Sequence, residues 1–171
     1  MAVGKTPNVV MLMESLRLDL ARINRANDAG FYTDVEAVDW PDYSPLDDDG
    51  CLAGNANVIH LWAWTSPQTS ARENASDLRP TLEVLVMGVV KRRDGLQEEL
   101  LKLVTDVRNV MYANVSRDWP DGTVPNVWGI TTRQTPGYEI VLRHHDGAEG
   151  VRCKSFLSSW QFDYRNPYPS G

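Results

Sequence analysis

Residues 82–90, LEVLVMGVV, constrain the fold more than any other stretch of this chain. Apolar character runs almost unbroken through them, with Glu83 the single charge, so a strand built from them cannot leave either face in water without cost. Such a strand belongs near the centre of a sheet, and one is expected there over about 81–91. VIHLWAWT makes a second strong strand, about 58–65. Period two gives one face Val58, His60, Trp62 and Trp64, and the other Ile59, Leu61 and Ala63. With both faces largely apolar, at least one has to be covered by helices or by another subunit.

Two stretches carry the helical period instead. Val9, Leu12, Leu16, Leu20 and Ile23 recur at three- and four-residue spacing after Pro7 and Asn8, which predicts a helix over about 8–28, closed by Gly30. Leu96, Leu100, Leu103, Val104, Val107, Val110 and Met111 form the stripe of a second, about 95–114, with Asp94 as its N-cap and Gln97 three residues on. After the first helix, Val35 and Ala37 alternate imperfectly with their neighbours, giving a short strand over about 34–39 that stops at Pro41. The last third supplies three strands, about 127–134, 138–145 and 151–165. Thr135-Pro136-Gly137 and Asp146-Gly147 separate them, the turn chemistry of an antiparallel meander. In the last strand Phe156, Ser158, Trp160, Phe162 and Tyr164 share a face expected to meet the helices, while Leu157, Gln161, Asp163 and Arg165 share the other. Stretches 42–57, 66–80 and 117–126 are polar, or rich in Pro and Gly, and are expected to be long flexible loops. The 171 residues therefore read as a single α+β domain, 1–171. Two amphipathic helices pack on a mostly antiparallel, mixed β-sheet, with long loops.

Reactive chemistry is harder to find. A net charge of −6, from 17 Lys+Arg against 23 Asp+Glu, disfavours a general binder of nucleic acid or anionic membrane. Gly4-Lys5-Thr6 lacks the earlier glycine and the strand that a phosphate loop needs. Asp47-Asp48-Asp49-Gly50 looks like part of a calcium loop, but Pro45 and Ala56 stand where the first ligand and the closing glutamate belong. His144 and His145 are neighbours on a strand and so face opposite sides. His60 lies among tryptophans and reads as a packed or hydrogen-bonded side chain. Cys51 and Cys153 match no metal or redox spacing and are expected to be reduced. No signal-peptide pattern and no apolar run of transmembrane length occurs, so a cytosolic chain away from membranes is expected. No serine has the context of a nucleophile elbow. The expectation is a protein that is not an enzyme, with no catalytic residue, metal or cofactor.

Six tryptophans remain to be explained. Trp62 and Trp64 share a strand face, and Trp40 and Trp119 each open a Trp-Pro-Asp sequence. Core or loop packing and subunit contact both stay open for them. No basic residues are interleaved with them, so they do not read as stacking platforms for single-stranded nucleic acid.

The order of parts carries a resemblance. An amphipathic helix runs into GFYTDVEAVDW, a glycine-aromatic-x-x-Asp-Val lead-in to the first strand. A long loop, an aromatic strand and a polar segment follow, and LEVLVMGVV leads into the helix LQEELLKLVTDVRNVMYAN. The chain closes on a strand ending Phe162-Asp163-Tyr164-Arg165, with a proline just beyond. Over about residues 8–168 this resembles the tail terminator (tail completion) proteins of long-tailed bacteriophages and their relatives in phage-derived particles.

The resemblance implies an α+β subunit that closes into a six-fold ring, a homo-hexamer. The ring caps the last ring of the tail tube, halts tube polymerisation and presents a surface to the head connector, without catalysis or cofactor. The implied partners are further copies of the chain, the tail tube protein, the head–tail connector or neck protein and, in a contractile tail, the sheath. Genomic DNA would pass through the lumen without specific binding, which the acidic balance suits. The implied place is the tail–neck region of the virion, after assembly in the host cytoplasm. Candidate contacts are Trp62 and Trp64, Arg72 and Glu73 of the polar segment, Trp119, and Pro167 and Tyr168 of the stiff Asn166-Pro167-Tyr168-Pro169 exit. The Asp-rich loop 42–57 and the Trp-Pro-Asp-Gly loop 117–122 depart from the pattern. A neck or head-to-tail adaptor or another minor tail protein is the nearest alternative. A small metal-dependent hydrolase using His60, His144 and the aspartates of 47–49 is a further one, and a monomeric binding module a third.

Overall fold

The apolar stretch 82–90 finds cover on both sides, but of two different kinds. A computed structural model describes residues 8–27, 30–40, 57–63, 68–70, 79–92, 94–113, 131–134, 143–146 and 152–163. They form α1 (Asn8–Leu20), β1 (Val35–Asp39), β2 (Asn57–Ala63), β3 (Gln68–Ser70), β4 (Arg79–Arg92), α2 (Leu96–Ala113), β5 (Thr131–Gln134), β6 (Arg143–Asp146) and β7 (Arg152–Asp163). The architecture is α+β, as the sequence predicts. β4 lies inside a seven-stranded sheet ordered β1-β2-β4-β7-β5, with β3 on β4 and β6 on β7. β1 runs parallel to β2, and the other described pairings are antiparallel.

Both helices pack on one face of this sheet. Leu82, Val84, Val86 and Val90 of β4 meet Ile59 and Leu61 of β2, Phe156, Trp160 and Phe162 of β7, and the apolar stripes of α1 and α2 in one core. The predicted helix-facing side of β7 is therefore the observed one, with Tyr164 outside the described residues. Gly88 is required here by close approach. Its register partner Phe156 lays its ring across the backbone, and a Cβ at position 88 would stand 2.1 Å from the Phe156 Cε1. Trp160 is fully buried, and its Nε1 donates to the Ser158 hydroxyl at 2.9 Å, so the one polar atom of its ring is satisfied. Tyr112 of α2 meets the same indole edge-on, with ring centroids 5.3 Å apart.

Several boundaries differ from expectation, each for a local reason. α1 stops at Leu20 instead of reaching 28. The Arg22 and Ile23 amides donate to the carbonyls three residues back, at 3.2 Å each, which tightens the chain out of the α-helix. Asn24 then turns it by accepting the Ala26 amide on its side chain at 2.8 Å, and the Ile23 carbonyl is taken by the Val35 amide at 2.9 Å. Gly30 lies beyond, in a turn with φ of 75°. At α2, Gly95 (φ 68°) accepts the Glu99 amide at 3.0 Å, so Gly95 and not Asp94 stands at the cap. Gln97 is engaged by the Lys154 ammonium instead of closing a capping box.

The imperfect alternation of β1 is a register shift between Val35 and Ala37, which returns both Val35 and Val38 to the helix side. The polar stretch 66–80, expected to be loop throughout, contributes β3 and the first residues of β4, paired from Gln68↔Thr81 to Ser70↔Arg79. Main-chain pairing on an already formed strand needs no apolar side chains, so the composition of this stretch concealed it. The expected meander is also modified. β5 and β6 both pair with β7, at Thr131↔Asp163 to Gln134↔Trp160 and at Arg143↔Ser155 to Asp146↔Arg152. A 12-residue β7 is long enough for two four-residue strands to follow one another along its edge. Residues 117–126 and most of 42–57 lie outside the described residues, and Asn57 belongs to β2. No described helix is long and apolar enough to cross a membrane.

Candidate functional site

The face of the sheet opposite the core carries no described helix, and the register arranges its side chains in rows. Asp39 of β1, His60 of β2, Met87 of β4 and Leu157 of β7 form one row. Trp62, Leu85 and Ser159 form the next, and Val58, Val89 and Ser155 flank the first on its other side. Leu85, Met87 and Val89 retain only 2–5 % exposure, so the centre of this face is closed and not an open apolar patch. Val58, Trp62 and Leu157 around it are half-buried. Toward one end the face turns polar, where the Ser159 hydroxyl donates to the Glu83 carboxylate at 2.6 Å.

Of the candidate contact residues Trp62 alone lies within the described residues, on this face, where no described helix packs. Trp64, Arg72, Glu73, Trp119, Pro167 and Tyr168 lie outside the described residues. The histidines of the hydrolase alternative separate. His144 lies on β6, in register with Lys154 of β7, whereas His60 lies on β2, with β4 and β7 between the two strands. The aspartates of 47–49 lie outside the described residues. Among the described residues no three His, Cys, Asp or Glu side chains gather closely enough to hold a metal ion.

His60 is the electrostatic oddity of this face. It is 7 % exposed, and its Nδ1 has no hydrogen-bond partner among the described residues. Among the described residues a carboxylate, that of Asp39, stands 4.0 Å away and is half-exposed. Burial pushes the imidazole below its ordinary value, and the attraction of Asp39 opposes this without overcoming it. Asp39 also acts on Arg17 of α1, whose guanidinium grips Glu14 at 2.5 and 2.8 Å. The Glu14 carboxyl is held below its usual range by that hydrogen bond with Arg17.

The lead-in 30–35 resolves into a lock between the two helices and β1. Asp106 of α2, fully buried, accepts the Tyr32 amide at 3.0 Å, the Thr33 amide at 2.8 Å and the Thr33 hydroxyl at 2.7 Å. Asp34 accepts the Arg25 amide at 2.7 Å, and the Arg25 side chain donates to the Tyr32 carbonyl at 2.9 Å. One helical repeat earlier on α2, buried Glu99 accepts from Asn57 at 2.8 Å and from Arg92 at 2.7 Å, with Arg25 at 3.5 Å. Sequence reasoning passed over Glu99 and Asp106. Their signal was position: seven residues apart, both flank the apolar stripe of α2, where a carboxylate must find donors or leave.

Comparison with known protein families gives no match for this chain, and comparison with curated proteins gives none either.

Proposed function

We propose that this chain is a structural protein of a phage-like tail, acting as a tail terminator. Copies close into a ring on the end of the tail tube, stop its growth and offer the attachment surface for the head connector. The observation that supports this reading most is the glycine-aromatic-x-x-Asp-Val lead-in, set between an N-terminal helix and a sheet that ends on an aromatic strand. In this fold its residues have mutually dependent work. Gly30 makes the turn, Tyr32 and Thr33 hand their amides to Asp106, Asp34 holds Arg25, and Val35 starts β1 on the Ile23 carbonyl. The polar 66–80 segment extends β4 by a further pairing with β3, and we assign it the role of an arm toward the neighbouring subunit. An acidic balance of −6 suits a lumen that DNA must cross without sticking.

Electron microscopy of particles assembled without this chain tests the proposal. Overlong or headless tails are expected. Tails of normal length on leaking heads would contradict it and support a neck adaptor instead. Deleting residues 70–77 is expected to leave the monomer folded while lowering ring stability, and a deleted chain that assembles normally on tails would remove the arm from the proposal.

A further inference from the structure

The end of β1 is held to the sheet at one row, and that row contains a buried titratable ring. His60 and Asp39 are register partners at the last pair of the β1–β2 ladder. β1 is five residues long, lies at the edge of the sheet and contains a register shift, so it has few pairings to lose. The imidazole is more than nine-tenths buried, and its Nδ1 has no hydrogen-bond partner among the described residues.

Protonation makes the ring a cation with two N–H donors. At 4.0 Å the Asp39 carboxylate is beyond hydrogen-bond reach, and it is half in water. No other described charge faces the ring. Met87 and Leu157 complete its row, and Leu85, Val89, Ser155 and Ser159 stand in the adjoining rows. Glu83 and Lys91 each lie four residues from Met87 along β4, two side-chain positions away on the same face. The charged ring therefore gains most by reaching water, and the weakest barrier to water is the short edge strand beside it.

We propose that His60 and Asp39 form an acid-sensitive latch, in which protonation of the buried imidazole separates the end of β1 from β2 and opens the helix-free face beside Trp62. The latch is closed at neutral pH. Because burial favours the neutral ring in the folded chain, the stabilisation is complete above the ordinary histidine value of about 6.5. It is lost as pH falls from there through the lower folded value. The inference does not depend on the assembly role proposed above.

Hydrogen exchange of the full chain at pH values between about 7.5 and 5, corrected for the intrinsic rate of each amide, tests the latch. Amides of β1 and β2 are expected to lose protection at least tenfold across that range, while the β4–β7 ladder changes less than twofold. In His60→Gln the β1–β2 protection is expected to be flat with pH. Protection in the native chain that is flat, or a loss shared equally by β4–β7 or retained in H60Q, would overturn the proposal. Should H60Q fail to fold, the NMR titration of His60 in the native chain decides: a midpoint below about 6.5 supports the latch, and one at or above it overturns it.

Discussion

Asp106 carries more of this fold than its single charge suggests. Three donors from residues 32 and 33 converge on it in a fully buried place, so removing the carboxylate strands all three. Asp106→Ala is expected to cost about 3 kcal/mol, read from the urea midpoint at unchanged slope. Asp106→Asn can keep an acceptor oxygen where Oδ2 stands and is expected to cost about 1 kcal/mol. Equal losses in the two variants would mean that the charge, not the geometry of acceptance, does the holding. This residue was not legible from composition. GFYTDV advertised itself as a motif, but its partner lies more than seventy positions away, and pairing at that distance leaves no local pattern in a single sequence. His60 is the opposite case. Its strand and face were legible, and its unsatisfied nitrogen and half-exposed carboxylate partner were not, because both depend on the register of β1 against β2.

Among the elements, those marked by apolar side chains were legible in kind and place, apart from the end of α1, and those defined by main-chain pairing alone were not. β4 and β7 pair continuously from Thr81↔Asp163 to Arg92↔Arg152, and the alternation of Phe156, Trp160 and Phe162 assigned the helix-facing side of β7 directly. β3 had no apolar side chains to announce it, and the tightened turn after Leu20 was hidden by Ile23, which keeps the helical period although the helix has ended. Gly88 ties β4 to β7 most sharply. Gly88→Ala is expected to destabilise by about 3 kcal/mol, since the added methyl meets a ring held between strand and helices. Phe156→Leu should relieve that clash, so the double variant is expected to be more stable than the sum of the two single effects by at least about 1 kcal/mol in a denaturation cycle. Strict additivity would show that the ring is free to move aside.

At the scale of the molecule, the sheet is asymmetric. One face is closed by two helices, and the other has a closed centre of Leu85, Met87 and Val89 inside a half-buried margin that includes Trp62. Overall class was legible because both helices carry the helical period and the central strands are strongly apolar. Of the candidate contact set, Trp62 alone lies within the described residues; Trp64 shares its period-two face in the sequence, and Arg72, Glu73, Trp119, Pro167 and Tyr168 sit in stretches whose composition carries no period from which a face can be assigned. The assembly role therefore rests on the order of parts and on the locked lead-in. Its most direct test is to mix the purified full chain with tail tubes polymerised from the tube protein and to image the tube ends. The proposal predicts rings of this chain seated on tube ends and an arrest of further growth when tube protein is added. Tubes that keep lengthening with bare ends in the presence of excess chain would contradict it.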